Sequence, residues 1–168
     1  MGKLWKRYSG RMFEIFQRDK SKAVSVEIEA LDVVQNEKFV MNKSAKILHS
    51  ALAHAFPKLA DVVSDYQGSR NCLTVYGATP LDDTDYSSPQ DFFERILEYM
   101  TSLEALCSDV RKLAFDEDDF STVSFLDSFI QKLNPYTNQC ILLVDKGVAY
   151  KGDWMKFDHD IEDFIILN

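Results

Sequence analysis

One long segment, residues 89–114, constrains the fold more than any other part of the chain. Its apolar residues recur at spacings of three and four, which is the pattern of a helix with one buried face. They are Phe92, Phe93, Ile96, Leu97, Met100, Leu103, Leu106, Val110 and Leu113. Ser88 supplies an N-cap and Pro89 a first-turn proline. The spacing therefore predicts a helix of about seven turns that packs against other helices.

Two further segments have the same periodicity. In residues 42–66 the apolar stripe is Ala45, Leu48, Leu52, Ala55, Leu59, Val62 and Val63. After the acidic residues 116–119 the stripe is Val123, Leu126, Phe129, Ile130 and Leu133. Two prolines oppose these helices, because proline lacks an N–H and clashes with the preceding turn. Pro57 should bend or break the first, and Pro135 should interrupt any long helix over residues 121–146.

Both ends of the chain leave a second fold class open. Residues 24–28 alternate like a strand, although they also fit a helix face. Residues 140–144 and 148–150 could form a β-hairpin, with residues 164–167 as an edge strand. Periodicity favours one all-α domain over residues 1–168, and a single α+β domain is the alternative.

Charge and apolar runs exclude two classes of protein. The net charge is −8, but residues 1–22 carry seven bases against two acids, so the remainder is more acidic still. An acidic body argues against nucleic acid as a partner. The longest apolar runs, residues 140–144 and 164–167, are far shorter than the ~20 residues of a membrane span. Three widely spaced cysteines are typical of free thiols, so we expect a reducing, cytoplasmic location.

Common catalytic and metal-binding motifs are missing from the sequence. It contains no phosphate loop, no nucleophile elbow and no Cys-x-x-Cys pair. His49 and His54 are five residues apart, which on an α-helix places them on different faces and prevents them from sharing a metal. Glu94 and Glu98 share a helix face, but with Arg95 between them a solvated surface is favoured over a bridging metal site.

Three stretches resemble eukaryotic ferritin subunits. Residues 112–119, Lys-Leu-Ala-Phe-Asp-Glu-Asp-Asp, with Phe-Leu-Asp-Ser-Phe at 125–129, resemble the turn between the third and fourth ferritin helices. Trp-Met-Lys-Phe-Asp-His-Asp at 154–160 resembles the start of the short fifth helix, and Gln-Gly-Ser-Arg at 67–70 with Pro80 resembles the region after the second. The resemblance implies an up-down-down-up four-helix bundle with a short C-terminal fifth helix. The expected helices cover residues 6–36, 42–69, 89–115, 120–146 and 155–166.

Active ferritin subunits oxidise Fe(II) at a di-iron centre inside the bundle, and the resemblance implies where its ligands would fall. The Glu-x-x-His of the second helix falls on residues 54–57, which read His-Ala-Phe-Pro. The third-helix Glu falls on Met100, and the fourth-helix Glu-Gln falls on Leu133 and Asn134. Two iron ions need several carboxylate and imidazole ligands in the bundle core, so the resemblance implies that these ligands have been replaced.

Three acidic residues are the remaining candidates for metal ligands. Glu14 or Asp19 could take the position of the first-helix Glu, but one carboxylate cannot hold two irons. The resemblance implies that, of the acidic residues of the ferritin three-fold pore, at most Asp127 is kept. We therefore assign no catalytic residue, no cofactor-binding residue and no bound cofactor. Iron binding is possible, but the residues at the implied ligand positions do not support it.

The resemblance implies a structural subunit with an indirect role in iron storage and iron homeostasis. We expect a homo-oligomeric cage, or co-assembly with catalytic ferritin subunits, and no ferroxidase activity. One alternative is a helical or α+β interaction module whose contact surface is the basic N-terminus, with its aromatic residues Trp5, Tyr8, Phe13 and Phe16. Another is a ferroxidase with relocated ligands, namely Glu27, Glu94, Glu98 and Glu104.

Overall fold

Long helices dominate the computed structural model, which describes residues 40–72 and 86–167. Helix α1 (Asn42–Leu48), a π-helical turn (His49–Ala53) and α2 (Ala55–Ser69) follow one another directly. Then come α3 (Pro89–Asp116), α4 (Phe120–Tyr150), α5 (Trp154–Asp160) and a 3₁₀ turn (Ile161–Phe164). The described ranges contain helices and no strand, so the all-α class is confirmed and the α+β alternative is wrong. The helix expected at 6–36 lies outside the described residues.

Helix α3 begins where its capping residues predict. The Ser88 hydroxyl accepts a hydrogen bond from the Asp91 N–H at 3.3 Å, and the Asp91 carboxylate accepts one from the Ser88 N–H at 3.1 Å. This reciprocal capping box satisfies two N–H groups that the helix itself cannot use. Hydrogen bonds from Ser87 and Ser88 also lower the pKa of Asp91.

Helix α4 runs unbroken through Pro135, so the expected interruption and the hairpin at residues 140–144 and 148–150 are both wrong. Proline deprives the carbonyl four residues earlier, on Gln131, of its helical partner. Both Pro135 and Gln131 are exposed, so water can hydrate that carbonyl. The apolar stripe continues past the proline to the buried Leu143, and this packing maintains the helix.

Pro57 changes the helical register without ending the helix. The π-helical turn precedes it by one turn, and the His54 N–H bonds to the His49 carbonyl five residues back, at 3.3 Å. An extra residue in this turn avoids the clash of Pro57 with the carbonyl of Ala53. The expectation that His49 and His54 lie on different faces is therefore wrong: their ring centroids are 4.6 Å apart.

The C-terminal segment folds back onto the bundle. Only Trp154–Asp160 of the expected fifth helix is α-helical, and residues 165–167 belong to no helix or strand. The Asp158 carboxylate accepts a hydrogen bond from the N–H of Ser44, at 2.6 Å, in the first turn of α1. The buried Gln139 amide donates to the Phe164 carbonyl at 3.1 Å and accepts from the Ile166 N–H at 2.6 Å.

A clamp of side chains joins the end of α2 to the start of α4. Arg70 pairs with the Asp119 carboxylate at 3.3 Å, and that carboxylate also caps α4 by accepting from the Thr122 N–H at 3.2 Å. The Tyr66 and Thr122 hydroxyls lie 2.8 Å apart, and the Tyr66 ring stacks on Phe125. These contacts set the position of the acidic turn between α3 and α4.

Candidate functional site

The bundle interior is apolar where the resemblance implies the iron ligands. Phe56 of α2, Met100 of α3 and Leu133 of α4 are each no more than 1% exposed and belong to one hydrophobic core. Phe56 lies between the Glu and His positions of the second-helix motif, which are occupied by His54 and Pro57. His54, Pro57 and Asn134 are exposed. Phe56, Met100 and Leu133 offer no oxygen or nitrogen atom, so these buried side chains do not fit a di-iron centre.

The nearest acid on α3 that is not exposed is Glu104, one turn beyond Met100. Its carboxylate accepts a hydrogen bond from the Thr137 hydroxyl of α4 at 2.5 Å. Glu104 is half-buried and Thr137 is buried, so the bond ties the two long helices together at the edge of the core. This arrangement provides one carboxylate beside one hydroxyl, which is too few ligands for a pair of metal ions.

The other relocated ligands in the described residues lie on the surface of α3. Glu94 and Glu98 are both exposed, and Glu94 accepts a hydrogen bond from the Gln90 amide at 2.9 Å. Arg95 bonds to the Tyr99 hydroxyl at 3.0 Å instead of bridging the two glutamates. The pair therefore forms a solvated helix face, and Glu27 lies outside the described residues.

Asp127 is engaged in an ion pair with Arg111 across the α3–α4 turn. The Arg111 Nε donates to one carboxylate oxygen of Asp127, and Nη2 donates to the other at 3.3 Å. The hydrogen bond from Arg111 lowers the pKa of Asp127. A metal ion would have to displace this guanidinium. The other two candidates, Glu14 and Asp19, lie outside the described residues.

Within residues 40–72 and 86–167, no cluster of three or more His, Cys, Asp or Glu side chains could hold a metal ion. No helix in that part of the chain is both long and apolar enough to cross a membrane. The basic aromatic N-terminus, the contact surface of the interaction-module alternative, falls outside it. Neither that surface nor its partner is tested by the described residues.

Cys140 and Tyr150 are poorly placed as nucleophiles. Cys107 and Cys140 are buried, and burial raises the pKa of the Cys140 thiol to about 12. A hydrogen bond to Asp160 raises the pKa of Tyr150. The thiolate of Cys140 and the phenolate of Tyr150 are therefore disfavoured at neutral pH.

An open groove of about 440 Å³ lies between the α1–α2 helix, α4 and the C-terminal segment. Its walls are mainly apolar side chains, with His54 and Lys58 among its polar residues. Sequence reasoning missed the approach of His49 to His54 beside this groove, because it assumed α-helical spacing throughout. Pro57 was the available signal, since an internal proline can be accommodated by a π-helical turn.

Comparison with known proteins places this architecture among the ferritins. No protein-family model and no curated protein sequence matches the chain. An open-pore ferritin from the hyperthermophilic archaeon Archaeoglobus fulgidus superposes with a TM-score of 0.86 over 96% of each chain, at 13% identity. An engineered closed form of that ferritin has a TM-score of 0.85 and 13% identity over 96% of each chain.

An iron-soaked variant of PmFTN gives a similar result. Its TM-score is 0.83 at 15% identity, over 92% of this chain and 98% of that one. Identities this low establish the fold alone. The chain is thus a ferritin-like helical bundle.

Proposed function

We propose that this chain is a ferritin-like subunit that lacks the di-iron oxidation centre and serves iron storage structurally. It would build a cage from copies of itself or co-assemble with catalytic ferritin subunits, in a reducing compartment such as the cytoplasm. The observation that carries the proposal is the apolar interior formed by Phe56, Met100 and Leu133.

The physical reason is the ligand chemistry of iron. A carboxylate-bridged iron pair requires anionic ligands from several helices facing one another inside the bundle. Met100 and Leu133 place a thioether and a hydrocarbon side chain at two of these positions, and neither side chain can replace the hydration shell of Fe(II). Glu104 is held by Thr137 one turn away and supplies only one carboxylate.

Ferrous iron oxidation in air tests the catalytic part. Fe(II) is added to the purified chain at two ions per subunit, and ferric absorbance is followed by stopped flow beside a catalytic ferritin at equal subunit concentration. We expect oxidation at the rate of buffer alone. A fast phase that consumes two irons per chain would refute the proposal, and loss of that phase in Glu104→Gln would assign it to relocated ligands.

Native mass tests the assembly part. Light scattering and electron microscopy of one chromatographic peak should show a hollow multi-subunit particle, from this chain alone or after co-expression with a tagged catalytic ferritin. A chain that stays monomeric in both cases would contradict the structural role.

A further inference from the structure

The π-helical turn brings two imidazoles together. In an α-helix, residues five apart are separated by about 140° around the axis, since each residue turns it by about 100°. The wider turn between His49 and His54, closed by the five-residue hydrogen bond at 3.3 Å, removes most of that separation. The two rings consequently meet edge to face, with centroids 4.6 Å apart and planes 77° apart.

This separation is close to that of two imidazoles on one metal ion. Tetrahedral Zn²⁺ lies about 2.1 Å from each histidine nitrogen, and a ring centre lies about 1.2 Å behind it, so two bound rings have centroids about 5 Å apart. The interplanar angle is no obstacle, because each ring can rotate about its own metal–nitrogen bond. Side-chain rotations of His49 and His54 would bring one nitrogen of each ring to a shared ion.

The ring nitrogens are also free to bind. Neither His49 nor His54 has a side-chain hydrogen bond or an ion pair with any described residue. His54 is exposed and His49 is half-buried, so an ion can reach the pair from solvent. The apolar Leu52 and Phe56 face the core instead, which separates the pair from the bundle interior where ferritins oxidise iron.

We propose that His49 and His54 form a bidentate surface site for a divalent transition-metal ion of the Zn²⁺, Ni²⁺ or Cu²⁺ class, with water completing the coordination. Imidazole suits these ions, and Ca²⁺ and Mg²⁺ prefer oxygen ligands. Structural zinc sites use four protein ligands, so a site with two releases its metal readily. This inference does not depend on the proposed function.

Zn²⁺ titration calorimetry on the full chain tests the site. We expect the unaltered chain to bind one zinc. The zinc affinity should fall at least about tenfold in His49→Gln and in His54→Gln, since even residues that only support a metal ligand contribute that much. His159→Gln is the matched control and should bind as the unaltered chain does, because the third histidine lies on α5 and bonds to Asp160. Circular dichroism establishes that each variant is folded.

X-ray absorption at the zinc edge gives a readout that does not rely on substitution. Two imidazole nitrogens at about 2.0–2.1 Å in the unaltered chain would support the proposal. The proposal is overturned if the chain binds no zinc, if both single variants bind as tightly as the unaltered chain, or if the bound ion has no imidazole ligand.

Discussion

Replacing Met100 by glutamate measures the polarity of the bundle interior directly. Met100 is 0% exposed, so a carboxylate there would remain protonated in the folded chain. Holding a group with a pKa of about 4.3 neutral at pH 7 costs about 3.7 kcal/mol, at about 1.36 kcal/mol per pH unit. Unfolding free energies are about 5–15 kcal/mol, so the variant should lose a large part of its stability.

The pH dependence separates this charge effect from a packing effect. Burial raises the pKa of the folded-state carboxyl, so the penalty is largest at high pH and disappears as the pH falls toward about 4.3. Urea denaturation should therefore show that Met100→Glu is about 2.7 kcal/mol less destabilised at pH 5 than at pH 7. Met100→Gln, which has a similar shape and no charge, should be destabilised equally at both pH values.

A second control places the same carboxyl group on the adjacent exposed residue of α3. Thr101→Glu should change stability by no more than about 0.5 kcal/mol at either pH. The reasoning fails if Met100→Glu costs less than about 1 kcal/mol more than Met100→Gln at pH 7. That outcome would mean that the interior accommodates a carboxylate, and the proposed absence of an oxidation centre would lose its main support.

Three further outcomes follow from contacts far apart in the sequence. Asp158→Ala should lower the free energy of unfolding, measured in urea, by about 0.5–2 kcal/mol, because the Asp158 carboxylate caps α1. Asp158→Asn should retain part of the stabilisation by this cap. Gly147→Ala should stabilise by less than alanine's helix advantage of about 1 kcal/mol, because the new Cβ would lie 2.0 Å from Gln90 Oε1 and would force that side chain to move. In a Gln90→Ala background the same change should stabilise by about that amount. Iodoacetamide should label the half-buried Cys72 in the native chain and reach buried Cys140 only after denaturation, by peptide mass spectrometry.

Each of these outcomes has a clear contrary result. Equal stability of Asp158→Ala and the unaltered chain would show that the C-terminal segment does not cap α1. An unchanged effect of Gly147→Ala after Gln90 is shortened would remove the proposed steric coupling. Rapid native labelling of Cys140 would mean that the core at α4 opens more readily than its burial indicates.

Helix positions were predictable because the code for them is local. The apolar stripe of α3, which includes Met100, and that of α4, which includes Leu133, each repeat every three or four residues. Ser88 caps α3, the helix that it directly precedes. The prediction failed at Pro135, where an exposed face allows α4 to continue to Tyr150. It also failed over residues 140–150, whose short apolar runs fit either a strand or a helix when read alone.

The candidate site was predictable only in part. The apolar residues Phe56 and Met100 could be identified from the sequence, because hydrophobic positions on a helix face imply burial. The assignment of Met100 to a ligand position, and of Phe56 to the second-helix motif, depended on a family resemblance. The approach of His49 to His54 was missed, because it depends on one extra residue in a single turn, for which Pro57 was the only local signal.

By itself, the sequence favoured an all-helical chain and predicted where most helices begin, and the family resemblance placed apolar residues at the bundle centre. The tertiary structure alone decided which distant groups meet. Asp158 caps a helix that begins more than a hundred residues earlier, and Gln139 holds the backbone of the C-terminal segment. Helical periodicity and capping act over a few residues, whereas these contacts depend on how whole helices pack, which no local pattern specifies.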